Sequence, residues 1–362
     1  MTDPAPPPPA PPPPAPPRPT AGQLLRGAAS ATLGIGLLVV VLPRVTGARW
    51  SQIADVLSRL TPLEVAALTL LWAVGLWSYS FMLTGTLPGL TRAQAVTVNV
   101  TGSAVSNLLP LGGAVGLATT FAMLRIWGFA PSQVALSALV TGVWNVLAKL
   151  GLPLAGLLGL LLARDGATGR FAGGAAVGAV LLALTLAVLA GTLSSERVAL
   201  AVGRGAGAVG QGLLRLVRSP RRLHWDDALT RRREHVVALV RAGWWRLTLS
   251  LVGFLGSQAL LLLVSLRVLG SDLGAAQVFA GYAFGRLLST IPITPGGVGV
   301  TETGVAGLLV AFGGDPGVCT SAVLLFSGFA FFAEFPAGAV GYLVWQTRRS
   351  WRRTPEPHPE QQ

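Results

Sequence analysis

The sequence predicts an all-α polytopic membrane protein of two inverted halves, each with a broken helical hairpin that is re-entrant or merely short. Three observations predict this. First, the 362 residues are 52% hydrophobic and only 11% charged, whereas a soluble domain carries about 25% charged residues. Second, apolar runs recur at Leu63 to Leu83, Gln133 to Ala163, Phe171 to Leu193, Thr248 to Leu266 and Cys319 to Val344. Runs of roughly 18 or more residues can cross a hydrocarbon core about 30 Å thick. Third, two Pro/Gly breaks, Pro110-Leu-Gly-Gly113 and Pro292-Ile-Thr-Pro-Gly-Gly297, each divide a pair of short apolar stretches.

Residues 4 to 19 are almost pure Pro and Ala, an extended composition with nothing to bury. Residues 1–21 are therefore expected to be a disordered cytoplasmic tail. The membrane domain is expected to run over 22–346, with a loop at 194–246, and a basic tail over 347–362. The first apolar segment, Ala28 to Leu42, follows a Pro-rich leader and not a short basic region, so it reads as a retained anchor.

Charge sets the orientation. With the N-terminus inside, Ala28 to Leu42 exits and Leu63 to Gly85 returns. The short pair Ala93 to Leu109 and Gly113 to Leu124 follows. Pro131 to Ala163 exits and Phe171 to Leu193 returns. The loop 194–246 holds eleven arginines and four acids, which assigns it to the cytoplasm. Thr248 to Leu269 exits, a second short pair spans Ala275 to Ile291 and Val298 to Phe312, and Pro316 to Trp345 returns. This arrangement puts 19 basic residues inside, 6 outside and 2 within membrane segments. Both termini are thus expected in the cytoplasm, and the protein in the cell inner (plasma) membrane. Trp225, Trp244 and Trp245 suggest that part of the basic loop lies on the inner leaflet as an amphipathic helix.

Each half reads as helix, helix, broken pair, long helix, and the halves start on opposite sides. Pro110 and Pro295, Gly112 and Gly297, Leu124 and Leu309, Gly128 and Gly313, and Pro131 and Pro316 all lie 185 residues apart. Inverted repeats with discontinuous helices at matching positions mark transporter folds with a midplane substrate site.

The net charge of +13 does not indicate nucleic-acid binding, because no recognition module accompanies it and the arginines flank apolar segments. One cysteine, Cys319, excludes an intrachain disulfide. The histidines, His224, His235 and His358, lie in the basic loop and tail, so no intramembrane histidine metal site is expected. No phosphate-cradling loop and no nucleophile elbow occurs. No enzyme activity, metal or cofactor is expected.

The strongest local signal is Pro295-Gly-Gly-Val-Gly-Val-Thr-Glu302. Pro292, Pro295, Gly296, Gly297 and Gly299 break a helix. Non-helical backbone at membrane depth must be buried in protein or face a wet cavity. A half-helix beginning near Val298 would aim its free N–H groups and positive dipole end into the break, which suits an anionic group. A tight surface hairpin that binds nothing is the plainer alternative. Arg286 and Glu302 flank the break. An intramembrane arginine faces a partner or a cavity, and its planar fork would hold a lipid phosphate. An internal Arg286–Glu302 pair is the competing role. Lys149 and Glu334, also 185 residues apart, are expected at equivalent depths, where each would neutralise the other as a gate or head-group contact; a purely structural pair, or a buried protonated Glu334, is the plainer alternative. Beside the first break, Asn107 could bond a head group or tie helices together.

Pro295-Gly-Gly-Val-Gly299 followed by Glu302, together with the earlier Asn107-Leu-Leu-Pro110 break, resembles the flippase-like family named for the transmembrane region of lysylphosphatidylglycerol synthase. The resemblance covers roughly residues 25 to 346. In relatives the first break is often followed by a polar stretch with an acid and an arginine. Here that stretch is Gly113-Ala-Val-Gly-Leu-Ala118, wholly apolar. The resemblance implies movement of aminoacylated or other anionic phospholipids, or of polyprenyl-linked glycolipids, between leaflets, with anionic head groups as the ligands. Two alternatives stand beside it: a non-transporting scaffold partnering envelope-biosynthesis proteins, and a small-solute transporter. The complete synthase adds a soluble catalytic domain. Little sequence follows the last apolar segment here, so lysyl transfer is not expected of this chain.

Overall fold

A computed structural model describes residues 32–108 except 34, 112–163, 225–289, 294 and 297–351, with a few positions between 173 and 187. Of residues 225–242 it describes the backbone. The tail 1–21, most of Phe171 to Leu193, the loop from 194 to 224 and the tail beyond 351 lie outside the described residues.

The described residues form helices in the order α1 (Leu37–Thr46), α2 (Trp50–Ser58), α3 (Pro62–Thr86), α4 (Arg92–Leu108), α5 (Gly112–Ile126) and α6 (Pro131–Leu162). Then come α7 (Trp225–Val268), α8 (Ala275–Leu288), α9 (Val300–Ala311), α10 (Pro316–Ser327) and α11 (Glu334–Thr347). A π-helical turn, Gly328–Phe332, joins α10 to α11. Among the described residues four stretches are long and apolar enough to cross a membrane: Pro62–Thr86, Pro131–Leu162, Gly243–Val268 and Pro316–Thr347. The protein is thus a helical, multi-pass membrane protein. Leu70, Leu249, Val252, Val340 and Leu343 are each more than half exposed. Around a bundle these form a belt that lipid covers at no hydrophobic cost.

The sequence reading is modified at three places. The first apolar element runs past its expected end at Leu42 to Thr46 and carries a π turn at Leu37–Val41, while its expected start at Ala28 lies outside the described residues. The stretch expected as a plain loop after Arg44 contains α2, tied back by Trp50 Nε1 donating to the Val39 carbonyl at 3.1 Å. Helix α7 runs unbroken from Trp225 into the membrane stretch, so this part of the basic loop extends the spanning helix and is not a separate surface helix.

Helix ends sort onto two faces. Leu87, Leu90, Trp127 and Phe129 share one cluster with Trp345 and Trp351. Leu247 meets Gly85 on this same face. On the other face Val56, Leu60, Leu269 and Val318 line one depression, and Gly314 packs on Leu273. The first face carries the C-terminal end of α11 and the base of α7; we call it the tail face.

The hairpin α4–α5 therefore enters and leaves on the tail face, and α8–α9 enters and leaves on the far face. Their helices have 17, 15, 14 and 12 residues, short of the roughly 20 needed to span. Both hairpins end in the same cap. Gly128 and Gly313 take φ of 87° and 101°, a left-handed region open to glycine. Phe129 N then donates to Leu124 O at 3.2 Å, and Gly314 N to Leu309 O at 3.1 Å. A proline opens the next helix each time, Pro131 and Pro316. The sequence matches at Leu124/Leu309, Gly128/Gly313 and Pro131/Pro316 are thus one Schellman-type stop used twice.

Packing between the halves is reciprocal. The first hairpin helix α4 packs on α11, and its counterpart α8 packs on α6. The most extensive contact joins α3 to α7. There Gly75 faces Ser257 and Gly253 faces Ser78, small residues that let backbones approach.

Candidate functional site

The second break is a structured turn. Helix α8 stops at Leu288 and α9 starts at Val300, so the break expected around Pro292 to Gly299 is present. Pro292, Pro295 and Gly296 lie outside the described residues. Gly297 and Gly299 have φ of 76° and 87°, and Thr294 Oγ1 donates to the Val298 carbonyl at 2.7 Å. Gly299 N donates to Glu302 Oε2 at 2.5 Å. The acid three residues into a helix thereby satisfies a backbone N–H that the helix leaves free. The other oxygen, Oε1, accepts from Ser327 Oγ at 2.9 Å, and Glu302 is 1% exposed. One oxygen thus holds the hairpin turn and the other ties it to the last span.

Arg286 is therefore not held by Glu302. Among the described residues one ion pair occurs, Arg59–Asp55, and it is exposed. Arg286 lies near the end of α8 with its Nε buried and without a hydrogen-bond partner. Its charge acts on Lys149 of α6, Glu334 of α11, Tyr79 of α3 and Tyr282 of its own helix. These groups belong to α3, α6, α8 and α11.

Glu334 has a different partner from the one expected. Asn107 Nδ2, at the tip of the first hairpin, donates to Glu334 Oε2 at 2.8 Å. The expected Lys149–Glu334 ion pair is absent from the described residues. A spacing of 185 residues can equalise depth but cannot make two side chains face each other. Because α6 packs on α8 and α11 on α4, each charge meets the opposite half's hairpin.

Both tips thus touch one segment of the last span. Ser327, just before the π turn, bonds Glu302 of the far-face hairpin. Glu334, just after it, takes the bond from Asn107 of the tail-face hairpin. Pro336 explains the irregular helix between them: having no N–H, it cannot bond the carbonyl of Phe332. In α6, Pro153 likewise frees the carbonyl of Lys149. Each long helix has a proline-loosened turn beside its buried charge.

Several groups here escaped the sequence reading. Asn145 Nδ2 donates to the Tyr79 hydroxyl at 3.1 Å. Tyr282 buries an unpartnered hydroxyl and stacks edge-on against Phe326 at 6.2 Å. A cavity of about 240 Å³ opens between α3, α4, α5 and α6, with Tyr79, Asn99, Ser103 and Thr120 in its lining. One sequence signal pointed to it: Asn99, Ser103 and Ser106 recur at the i, i+4, i+7 spacing of a single helical face.

Residues 27–338 match a family model described as the lysylphosphatidylglycerol synthase transmembrane region. No curated protein matches the chain.

Proposed function

The chain belongs to the family of the lysylphosphatidylglycerol synthase transmembrane region, which makes it a membrane protein of lipid metabolism or transport, and from that premise we propose that it moves an anionic or polyprenyl-linked lipid between leaflets without modifying it. One observation carries the reading. Arg286 lies in a short hairpin helix inside the bundle, its Nε has no partner, and the nearest acid of its hairpin, Glu302, is already engaged by Gly299 and Ser327.

The charge balance supports an anionic ligand. Arg286 and Lys149 are like charges within range of one another, and among the described residues neither is ion-paired with an acid. A phosphate beside them would relieve their mutual repulsion and accept the free guanidinium N–H groups. In this reading the head group crosses a polar path between the hairpin tips while the acyl chains stay in the bilayer. Asn107 and Glu334 border the path. Gly297, Gly299 and Glu302 hold the turn rigid, and Pro295 and Gly296 precede them in the sequence. Reciprocal packing of α4 on α11 and α8 on α6 supports two inverted halves rocking about the α3–α7 contact.

Charge also supports the orientation. Arg92, Arg125, Arg246 and Arg348 border the tail face, whereas on the far face Arg44, Arg49, Arg59 and Arg267 are offset by Asp55, Glu64, Asp272 and Asp315. The tail face is then cytoplasmic in the cell inner membrane, with both termini and the loop 194–246 on that side. Envelope-biosynthesis enzymes that make or use the lipid are the natural protein partners.

The test is reconstitution of purified protein into vesicles holding a fluorescent anionic phospholipid, read with a leaflet-selective quencher. Vesicles with protein should lose the protected fluorescence faster than empty vesicles. Equal rates for every anionic and polyprenyl-linked lipid tried would reject transport and favour the scaffold alternative.

A further inference from the structure

The cavity between α3, α4, α5 and α6 belongs to the half of the protein with no charge at its break. It begins near the tail face at Leu87, Leu90 and Val134 and climbs toward Tyr79, Ser106 and Thr141. The eight residues from Leu87 to Tyr79 correspond to about 12 Å of helix rise. At its upper end Tyr79 accepts the Asn145 bond and lies within the field of Arg286.

Its chemistry is specific. Asn99, Ser103, Ser106 and Thr120 line it, and none makes a hydrogen bond to another described residue, although serine and threonine in a helix can bond the carbonyl four residues back. Thr97 and Thr119, outside the cavity, make such bonds at 2.8 and 2.9 Å, as does Thr141 in its lining at 2.8 Å, and Ser137 of the lining pairs with Thr86, so the unbonded groups are those of α4 and α5. Four neutral donors and acceptors are therefore left free at membrane depth, where unmet polar groups are costly. The volume is several times the roughly 30 Å³ share of one water. No Asp, Glu, Lys or Arg lines it.

We propose that this cavity binds the neutral, hydroxyl-bearing part of the lipid head group, a glycerol or a sugar, while the phosphate lies at Arg286. This rests on the lipid reading above and narrows its substrate class. The same site disfavours an aminoacylated head group, because no carboxylate lines the cavity to receive an ammonium and the charge of Arg286 reaches Tyr79 at its upper end.

The test is binding of short-chain lipids to the full-length protein in detergent, measured by native mass spectrometry. Phosphatidylglycerol and a glycosylated polyprenyl phosphate supply the two sources of hydroxyls. Phosphatidylpropanol supplies the same charge without them, and lysylated phosphatidylglycerol adds ammonium groups. Wild type should prefer phosphatidylglycerol or the glycosylated lipid over phosphatidylpropanol by about tenfold or more, as expected when buried polar groups go unpaired with the poorer ligand. Asn99→Leu with Thr120→Val should bring that ratio to within about twofold, while Arg286→Gln should weaken all the phosphate-bearing lipids and keep the ratio. Equal binding of phosphatidylpropanol and both hydroxyl-bearing lipids by wild type, tighter binding of the lysylated lipid, or an unchanged ratio in the double variant would overturn the assignment. Thermal unfolding of each variant identifies any that has lost its fold, and Ser103→Ala then replaces it. Binding preference without transport in vesicles would reject lipid movement and leave the cavity assignment standing; transport without preference would do the reverse.

Discussion

The two hairpins share a frame and differ in chemistry. Each is a pair of short helices entering from one face, closed by the same glycine cap and a following proline, and each touches the last span near its π turn. The tail-face hairpin presents Asn99, Ser103, Ser106 and Asn107 and no charge between Arg92 and Arg125. The far-face hairpin presents Arg286 and Glu302. The comparison teaches that the break itself is scaffolding, used twice, and that the side chains hung on it divide the work. One hairpin offers neutral hydrogen-bonding groups, the other an unneutralised cation. A ligand that needs both is an anion carrying hydroxyls.

The largest effect expected of breaking this comparison is at Glu302. Glu302→Ala removes the acceptor of both Gly299 N–H and Ser327 Oγ–H, leaving two buried donors unpaired at about 1–3 kcal/mol each. Thermal unfolding in detergent should show a marked loss of stability or of folded yield. Asn107→Ala, which removes the contact of the other tip, should lose less, because Asn107 is not fully buried. An unchanged melting temperature for Glu302→Ala would mean the carboxylate is free to serve a ligand.

A smaller effect distinguishes the partners of Glu334. In a double-mutant cycle, Asn107→Ala and Glu334→Gln should be coupled by about 1 kcal/mol, as contacting residues are. Lys149→Met with Glu334→Gln should show weaker coupling, transmitted only through the shared field of Arg286. Stronger coupling in the lysine cycle would restore the direct ion pair that the helix packing argues against.

The smallest perturbation tests the faces. In a Cys319→Ser background, a single cysteine at Thr347 should resist an impermeant reagent added outside intact cells, and one at Arg59 should react. The reverse pattern would invert the orientation and place the hydroxyl-lined cavity on the outer side.

Much of this was legible in the residues, for physical reasons. Proline and glycine at membrane depth cannot continue a helix, so Pro292 to Gly299 announced the second break. Charge depletion announced the spans. The identical caps were visible as Gly128 and Gly313 at one spacing. Glu302 could have been read more sharply, since an acid three residues after a glycine that opens a helix is a capping pattern. The partner of Glu334 was not legible: matching positions in a repeat report depth along the bilayer normal, whereas pairing depends on which helix packs on which. The cavity left only a faint trace, because serines and asparagines on one helix face look the same in sequence whether they bond their own backbone or wait for a ligand.

The account's central claim is that Arg286 holds the anionic head group during transfer. The most direct test measures transbilayer movement of a fluorescent anionic phospholipid in vesicles carrying wild type, Arg286→Gln or Arg286→Lys, with thermal unfolding of each protein alongside. The claim predicts a rate at least about tenfold lower for Arg286→Gln, equivalent to about 1.4 kcal/mol of lost transition-state stabilisation. It predicts partial recovery with Arg286→Lys, which keeps the charge but not the two-pronged geometry, and melting temperatures close to that of wild type, since the arginine makes no ion pair among the described residues. Arg286→Gln moving lipid as fast as wild type, or losing transport only together with its fold, would contradict it.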